Sequence, residues 1–127
     1  MFLPEFDRDY LVQKNFDFEE KVEGGTNGLI INNWILPLHK FNMETSNLLI
    51  LIPSGYPDVP PDMWYFNPDI LLKPSNTFAR ATEAKINFNG IVWQRWSRHL
   101  APNEWRSGTD GIHSYLIKVQ TALEVAS

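Results

Sequence analysis

The residues best suited to chemistry in this 127-residue chain lie in one stretch, Val92-Trp93-Gln94-Arg95-Trp96-Ser97-Arg98-His99. It brings two indoles, two guanidiniums, a hydroxyl and an imidazole into eight residues, more hydrogen-bonding groups than a purely structural strand uses. The chain has no cysteine, which excludes thiol nucleophiles, thiolate metal sites and disulfides. A nucleophile must then be a hydroxyl, and a hydroxyl needs a neighbouring base to react near neutral pH. Of the three histidines, His39, His99 and His113, only His99 has a serine at usable spacing in a polar-aromatic setting. Residues two apart in an extended chain point to one face, so Ser97 and His99 can meet. The same residues allow a structural reading, in which Ser97 caps a turn and His99 bonds a backbone carbonyl. His113 adjoins Ser114, but neighbours on a helix diverge.

Around this pair, Arg95, Arg98 and Arg106 can grip a carboxylate or an acidic partner through paired N–H groups, or stand as solvated surface residues. Trp93, Trp96 and Trp105 supply either packing or a contact surface. Asp58, Asp62 and Asp69 form a carboxylate site only if folding gathers them; otherwise they are solvated loop residues. No His, Asp or Glu cluster has metal-ligand spacing. Gly24-Gly25-Thr26-Asn27-Gly28 lacks the Gly-Lys-Ser/Thr that completes a phosphate cradle. Neither a metal nor a cofactor is expected.

The elements that position this stretch read as a sheet before it and a helix after it. Phe6, Tyr10 and Leu11, with Pro4 allowed in a first turn, suggest a short helix from Pro4 to Lys14. Phe16–Glu19, Leu29–Leu36, Asn47–Ile52 and Met63–Phe66 read as extended segments, the third apolar on both faces. Between the last two, Tyr56-Pro57-Asp58-Val59-Pro60-Pro61 has little backbone freedom and reads as a structural strut. Asn89-Gly90 favours a tight hairpin between Ala84–Phe88 and the strand that runs into the ledge. Loops of this length favour antiparallel pairing. Ile112, Tyr115, Leu116, Val119 and Leu123 recur at helical spacing, with Thr109 or Asp110 as the cap. Strands followed by a helix give an α+β class and one domain over 1–127.

The net charge of -4 gives no reason to expect nucleic acid. Acids crowd residues 1–24, whereas Arg80, Lys85, Arg95, Arg98 and Arg106 come later, which suggests two unlike faces. The start resembles no signal peptide and the longest apolar run, Leu48 to Ile52, cannot span a bilayer; a cytoplasmic location is expected.

Several pieces resemble one family. Tyr56-Pro57-x-x-Pro60-Pro61, the aromatic strand that follows, and Trp105 seven residues ahead of the Ile112-Leu116-Val119-Leu123 helix resemble the ubiquitin-conjugating (UBC) superfamily. More narrowly, residues 93–99 and Trp105-Arg106-x-Gly108-x-Asp110 resemble its bacterial branch, prokaryotic family E. Leu3-Pro4-x-x-Asp7 and the glycines at 24–28 fit too, so the likeness covers most of the chain. It implies an N-terminal helix, a four-stranded antiparallel meander and a C-terminal helix. It also implies a ubiquitin-like protein and a ThiF-like activating enzyme as partners, often with a peptidase that removes the modifier.

Members of the family it resembles usually carry a cysteine that takes the modifier as a thioester. Gly90-Ile91-Val92 matches the lead-in to that cysteine and puts Trp93 in its place. Asn67-Pro68-Asp69 is the nearest counterpart of the usual His-Pro-Asn, separated from the ledge by Leu71–Asn89. An indole cannot be acylated. Either there is no covalent step and the chain is a scaffold, or the acceptor has moved to Ser97, with His99 as base and Arg98 or backbone N–H groups at the oxyanion. Trp93, Arg95, Trp96, Trp105, Arg106 and Asp110 would then contact the modifier or its partners. A free-standing hydrolase is the weaker reading, because no aspartate is placed by sequence to orient His99 and no Gly-x-Ser-x-Gly turn exists.

Overall fold

The extended segments between Asp17 and Trp96 form six strands in a computed structural model that describes residues 1–127. Helix α1 (Glu5–Gln13) comes first. The strands are β1 (Asp17–Glu23), β2 (Thr26–Ile35), β3 (Thr45–Ile52), β4 (Trp64–Asn67), β5 (Lys85–Phe88) and β6 (Ile91–Trp96), and helix α2 (Ile112–Val125) closes the order. The class is α+β as expected, but the sheet has six strands rather than four. Its order is β1-β2-β3-β4-β6-β5, antiparallel throughout.

The first four strands follow one another as a meander. The hairpin of β5 and β6 then joins with its second strand inward, because the free edge of β4 must find partners for its N–H and C=O groups. Register Trp64↔Trp96, Tyr65↔Arg95 and Phe66↔Gln94 supplies them. Gln94 locks this arrangement from inside the core. Its fully buried Oε1 accepts the Ile70 N–H at 2.9 Å and its Nε2 donates to the Ile70 carbonyl at 3.1 Å, pinning the chain that leaves β4. Trp96 Nε1 donates to the same Oε1 at 3.2 Å.

Two tight turns are read directly from glycine. Gly24 and Gly25 both take positive φ between the paired residues Glu23 and Thr26, and Asn89-Gly90 does the same between Phe88 and Ile91. Positive φ at both central positions matches the twist of the strands they join.

Alternation divides the sheet into two apolar faces. Leu29, Ile31, Leu48, Ile50, Trp64, Phe66 and Trp96 meet both helices in the larger core, where α2 buries Ile112, Tyr115, Leu116, Val119 and Leu123. Ile30, Leu49, Tyr65, Phe88 and Trp93 form a smaller cluster on the opposite face. No helix is long and apolar enough to cross a membrane.

Asp7 ties the layers together. It is only 2% exposed; its Oδ1 accepts the Ile112 N–H at 3.1 Å and its Oδ2 accepts the Tyr56 hydroxyl at 2.5 Å. The cap of α2 is therefore neither Thr109 nor Asp110. The helix starts after Gly111, whose N–H donates to Ser114 Oγ at 3.1 Å. A Cβ on Gly111 would fall 2.8 Å from Asp7 Oδ1, so only glycine lets this carboxylate approach. Burial, followed by the bond to Asp7, pushes the Tyr56 hydroxyl far above its ordinary pKa.

Candidate functional site

Ser97 and His99 follow β6 in a segment that stays extended. Ser97 N–H donates to the Ala81 carbonyl at 3.1 Å and the Arg98 carbonyl accepts the Met63 N–H at 3.2 Å, so the ladder continues past Trp96. On this backbone Ser97 Oγ and His99 Nε2 lie 3.3 Å apart. The other ring nitrogen, Nδ1, is 2.7 Å from Asp62 Oδ1. With the ring proton on Nδ1 donated to the carboxylate, Nε2 is an acceptor facing the serine hydroxyl, the order of a Ser-His-Asp relay. Asp62 is not merely a solvated loop aspartate, nor part of a gathered carboxylate site with Asp58 and Asp69, but the partner of His99. A signal was present: running the antiparallel register Trp64↔Trp96 outward from both strands brings residue 62 level with residues 98–99, and Pro60-Pro61 holds it there. The relay is open to water, with the side chains of His99 and Asp62 58% and 60% exposed.

Two concavities flank it. One of about 230 Å³ is lined by Trp64, Arg98, His99, Leu100, Tyr115 and Lys118, among others. Another of about 510 Å³ includes Asn27, Leu51, Val59, Pro60 and Asp62. The imidazole borders the first and its carboxylate the second.

The remaining ledge residues differ in burial and in partners. Trp93 and Trp96 are 1% and 0% exposed, so they offer no surface to a partner and their assignment as contact residues gives way to packing. Trp93 Nε1 donates to the Phe88 carbonyl at 3.1 Å. Arg98 is spent on the fold as well. Its Nη1 donates to the carbonyls of Arg80 (2.9 Å) and Ser97 (3.3 Å), and its guanidinium lies 4.8 Å from the Trp96 ring centroid. Burial, together with the charge of Arg80, lowers its pKa. Arg98 is thus a backbone anchor and a lid on the indole, with both bonds made by Nη1. Arg95 differs: its guanidinium makes no hydrogen bond or ion pair, and its Nε is buried without an acceptor. It faces Tyr65 across the sheet.

Trp105, Arg106 and Asp110 lie together in the loop before α2 rather than beside Ser97. Trp105 Nε1 donates to the Pro57 carbonyl at 2.8 Å, and its ring packs between Tyr56 and Tyr115. Asp110 Oδ2 accepts the Arg106 N–H at 2.7 Å; this bond, then that of Ser114, holds its carboxyl below the ordinary range. The Asn67-Pro68-Asp69 segment, distant in sequence from the ledge, is next to it in space, because β4 pairs with β6. Asn67 Nδ2 donates to the Val92 carbonyl at 3.0 Å, and Asp69 pairs with Lys85. No three His, Asp or Glu side chains converge as metal ligands.

Compared with known families, the chain matches the model described as prokaryotic E2 family E over residues 3–126. No curated protein and no solved structure matches it. With a match that spans nearly its full length, this chain belongs to prokaryotic E2 family E, a bacterial E2-like family.

Proposed function

We propose that this protein accepts a ubiquitin-like modifier from a ThiF-like activating enzyme as an oxyester on Ser97 and transfers it to an amine of a target protein. The observation that carries this reading is the Asp62–His99–Ser97 relay, with contacts of 2.7 and 3.3 Å in a chain that has no thiol. Ser97 Oγ attacks the activated C-terminal carbonyl of the modifier while His99 Nε2 takes the hydroxyl proton. The leaving group, the thiolate of the activating enzyme, departs with that proton. In the second half, a target amine attacks the ester and gives its proton to His99 Nε2, which returns it to Ser97 Oγ as the C–O bond breaks and the amide forms. An ester yields to amines more slowly than a thioester, so holding the acceptor beside the acyl carbon must compensate. The exposure of the relay leaves room for the two large partners this scheme needs.

The second reading is a scaffold of the same family that binds modifier and activating enzyme without being acylated. It is favoured by Trp93, which stands in place of the cysteine and is buried and hydrogen-bonded. Ser97→Ala separates the two. With modifier, activating enzyme and ATP present, a carrier loses its adduct in this variant while its melting temperature is unchanged. A scaffold shows no adduct in either protein and undiminished binding.

A further inference from the structure

We propose that Arg95 is the anion-binding residue of this site, receiving the oxyanion that forms when Ser97 attacks the C-terminal carbonyl of the modifier. The inference rests on the serine-ester reading and assigns the oxyanion contact to Arg95 rather than to Arg98, whose Nη1 is bonded to backbone carbonyls. The two arginines sit on opposite sides of the strand. Arg98 shares the parity of Trp96 and is committed to backbone carbonyls and the indole. Arg95 shares the parity of Ser97, two residues on, and faces Tyr65 across the ladder.

Three observations mark Arg95 as poised for a ligand. Its guanidinium carries five N–H donors, yet none meets an acceptor within the fold, and Nε is buried. No carboxylate pairs with Arg95: the ion pairs of the fold are Arg8–Glu20, Lys21–Glu19, Lys85–Asp69, His99–Asp62 and Lys118–Glu104. Finally, burial raises the pKa of Tyr65, the charge of Arg95 opposes that rise and the charge of Asp62 adds to it. The hydroxyl of Tyr65 therefore feels both the guanidinium and the carboxylate that orients His99. Arg95, Ser97 and His99 share one strand parity, Tyr65 is the cross-strand partner of Arg95, and Asp62 bonds His99.

The step balances without a further reactant. The Ser97 Oγ–carbon bond forms, the carbonyl π pair moves to oxygen, and the Ser97 proton passes to His99 Nε2. Arg95 N–H groups donate to the new oxyanion. Its collapse expels the activating enzyme's thiolate, which leaves with the proton from His99. A preorganised donor at such an oxyanion is worth about 10²–10³ in rate.

The test compares single-turnover ester formation in the parent protein, Arg95→Gln, Arg95→Lys and Ser97→Ala, with modifier, activating enzyme and ATP. Arg95→Gln is expected to lower kcat by about 10²–10³-fold with KM for the charged activating enzyme nearly unchanged. Arg95→Lys, which keeps the charge but not the fork, recovers at least tenfold of that loss. Melting curves accompany each variant. Ester formation at the parent rate in Arg95→Gln overturns the assignment while leaving Ser97 as acceptor. Equal slowing of both variants with equal loss of melting temperature makes Arg95 a packing residue and overturns it too. A parent protein that forms no Ser97 ester removes both the assignment and the reading beneath it.

Discussion

Removing the Asp7 carboxylate is expected to cost far more stability than a helix-surface aspartate usually would. Asp7 lies in the first turn of α1, where an acid ordinarily contributes a few tenths of a kcal/mol through the helix dipole. Here it is buried and serves two distant groups, the Tyr56 hydroxyl and the first N–H of α2. A hydrogen bond to a charged acceptor contributes about 1.5–3 kcal/mol, and loss of a helix cap about 1 kcal/mol. Asp7→Ala should therefore lower the unfolding free energy by about 2.5–4 kcal/mol. Tyr56→Phe removes only the first bond and should cost about 1.5–3 kcal/mol. In the double variant no hydroxyl is left orphaned, so the two losses should overlap by about 1–2 kcal/mol. Urea unfolding of the four proteins, with m-values held in common, closes the cycle. An Asp7→Ala cost below about 1 kcal/mol, or strict additivity, would refute the clasp between α1, the Tyr56 loop and α2.

Two further outcomes concern the relay and the N-terminal ion pair. The Asp62–His99 contact is mostly in water, where such a pair contributes at most about 1 kcal/mol. Asp62→Asn should thus slow ester formation only about two- to fivefold, whereas His99→Ala should slow it about 10²–10⁴-fold; a loss in Asp62→Asn as large as that in His99→Ala, measured by single-turnover rates, contradicts this ordering. Burial would raise the pKa of Glu20, but the Arg8 side chain and the N–H groups of Leu3 and Phe2 outweigh it and hold the carboxyl below its ordinary 4.5. A depressed folded value means stabilisation that is full above that range and lost as pH falls through it. Glu20→Gln should cost about 2 kcal/mol at pH 7, and the gap between variant and parent should begin to close below pH 4.5; a gap independent of pH down to acid unfolding would contradict the assignment.

The elements were largely legible because their signals are local. The spacing of Ile112, Tyr115, Leu116, Val119 and Leu123 marked the face that α2 buries, and Asn89-Gly90 marked the hairpin. The four-strand count failed because it came from the family likeness, while the extended segments along the chain already numbered six. The site was half legible. Ser97 and His99 could be paired from strand parity, but Asp62 reaches His99 only through the pairing of β4 with β6. The same pairing explains why Trp93 and Trp96 pack inside the fold and offer no contact surface. Polar groups crowded beside indoles suggested a surface, yet Gln94 and Trp96 satisfy one another and Ile70 inside the core. Asp7 carried no sign of its partner at Ile112, since a cap supplied by another helix has no sequence spacing.

The measurement that bears most directly on the account is intact mass after incubation with the ubiquitin-like modifier, its activating enzyme and ATP. The expected result is one modifier added per chain, stable to thiol reductant because the chain has no cysteine, released by hydroxylamine, and mapped to Ser97. An alkali-resistant adduct on a lysine, or no adduct where binding is intact, would contradict it.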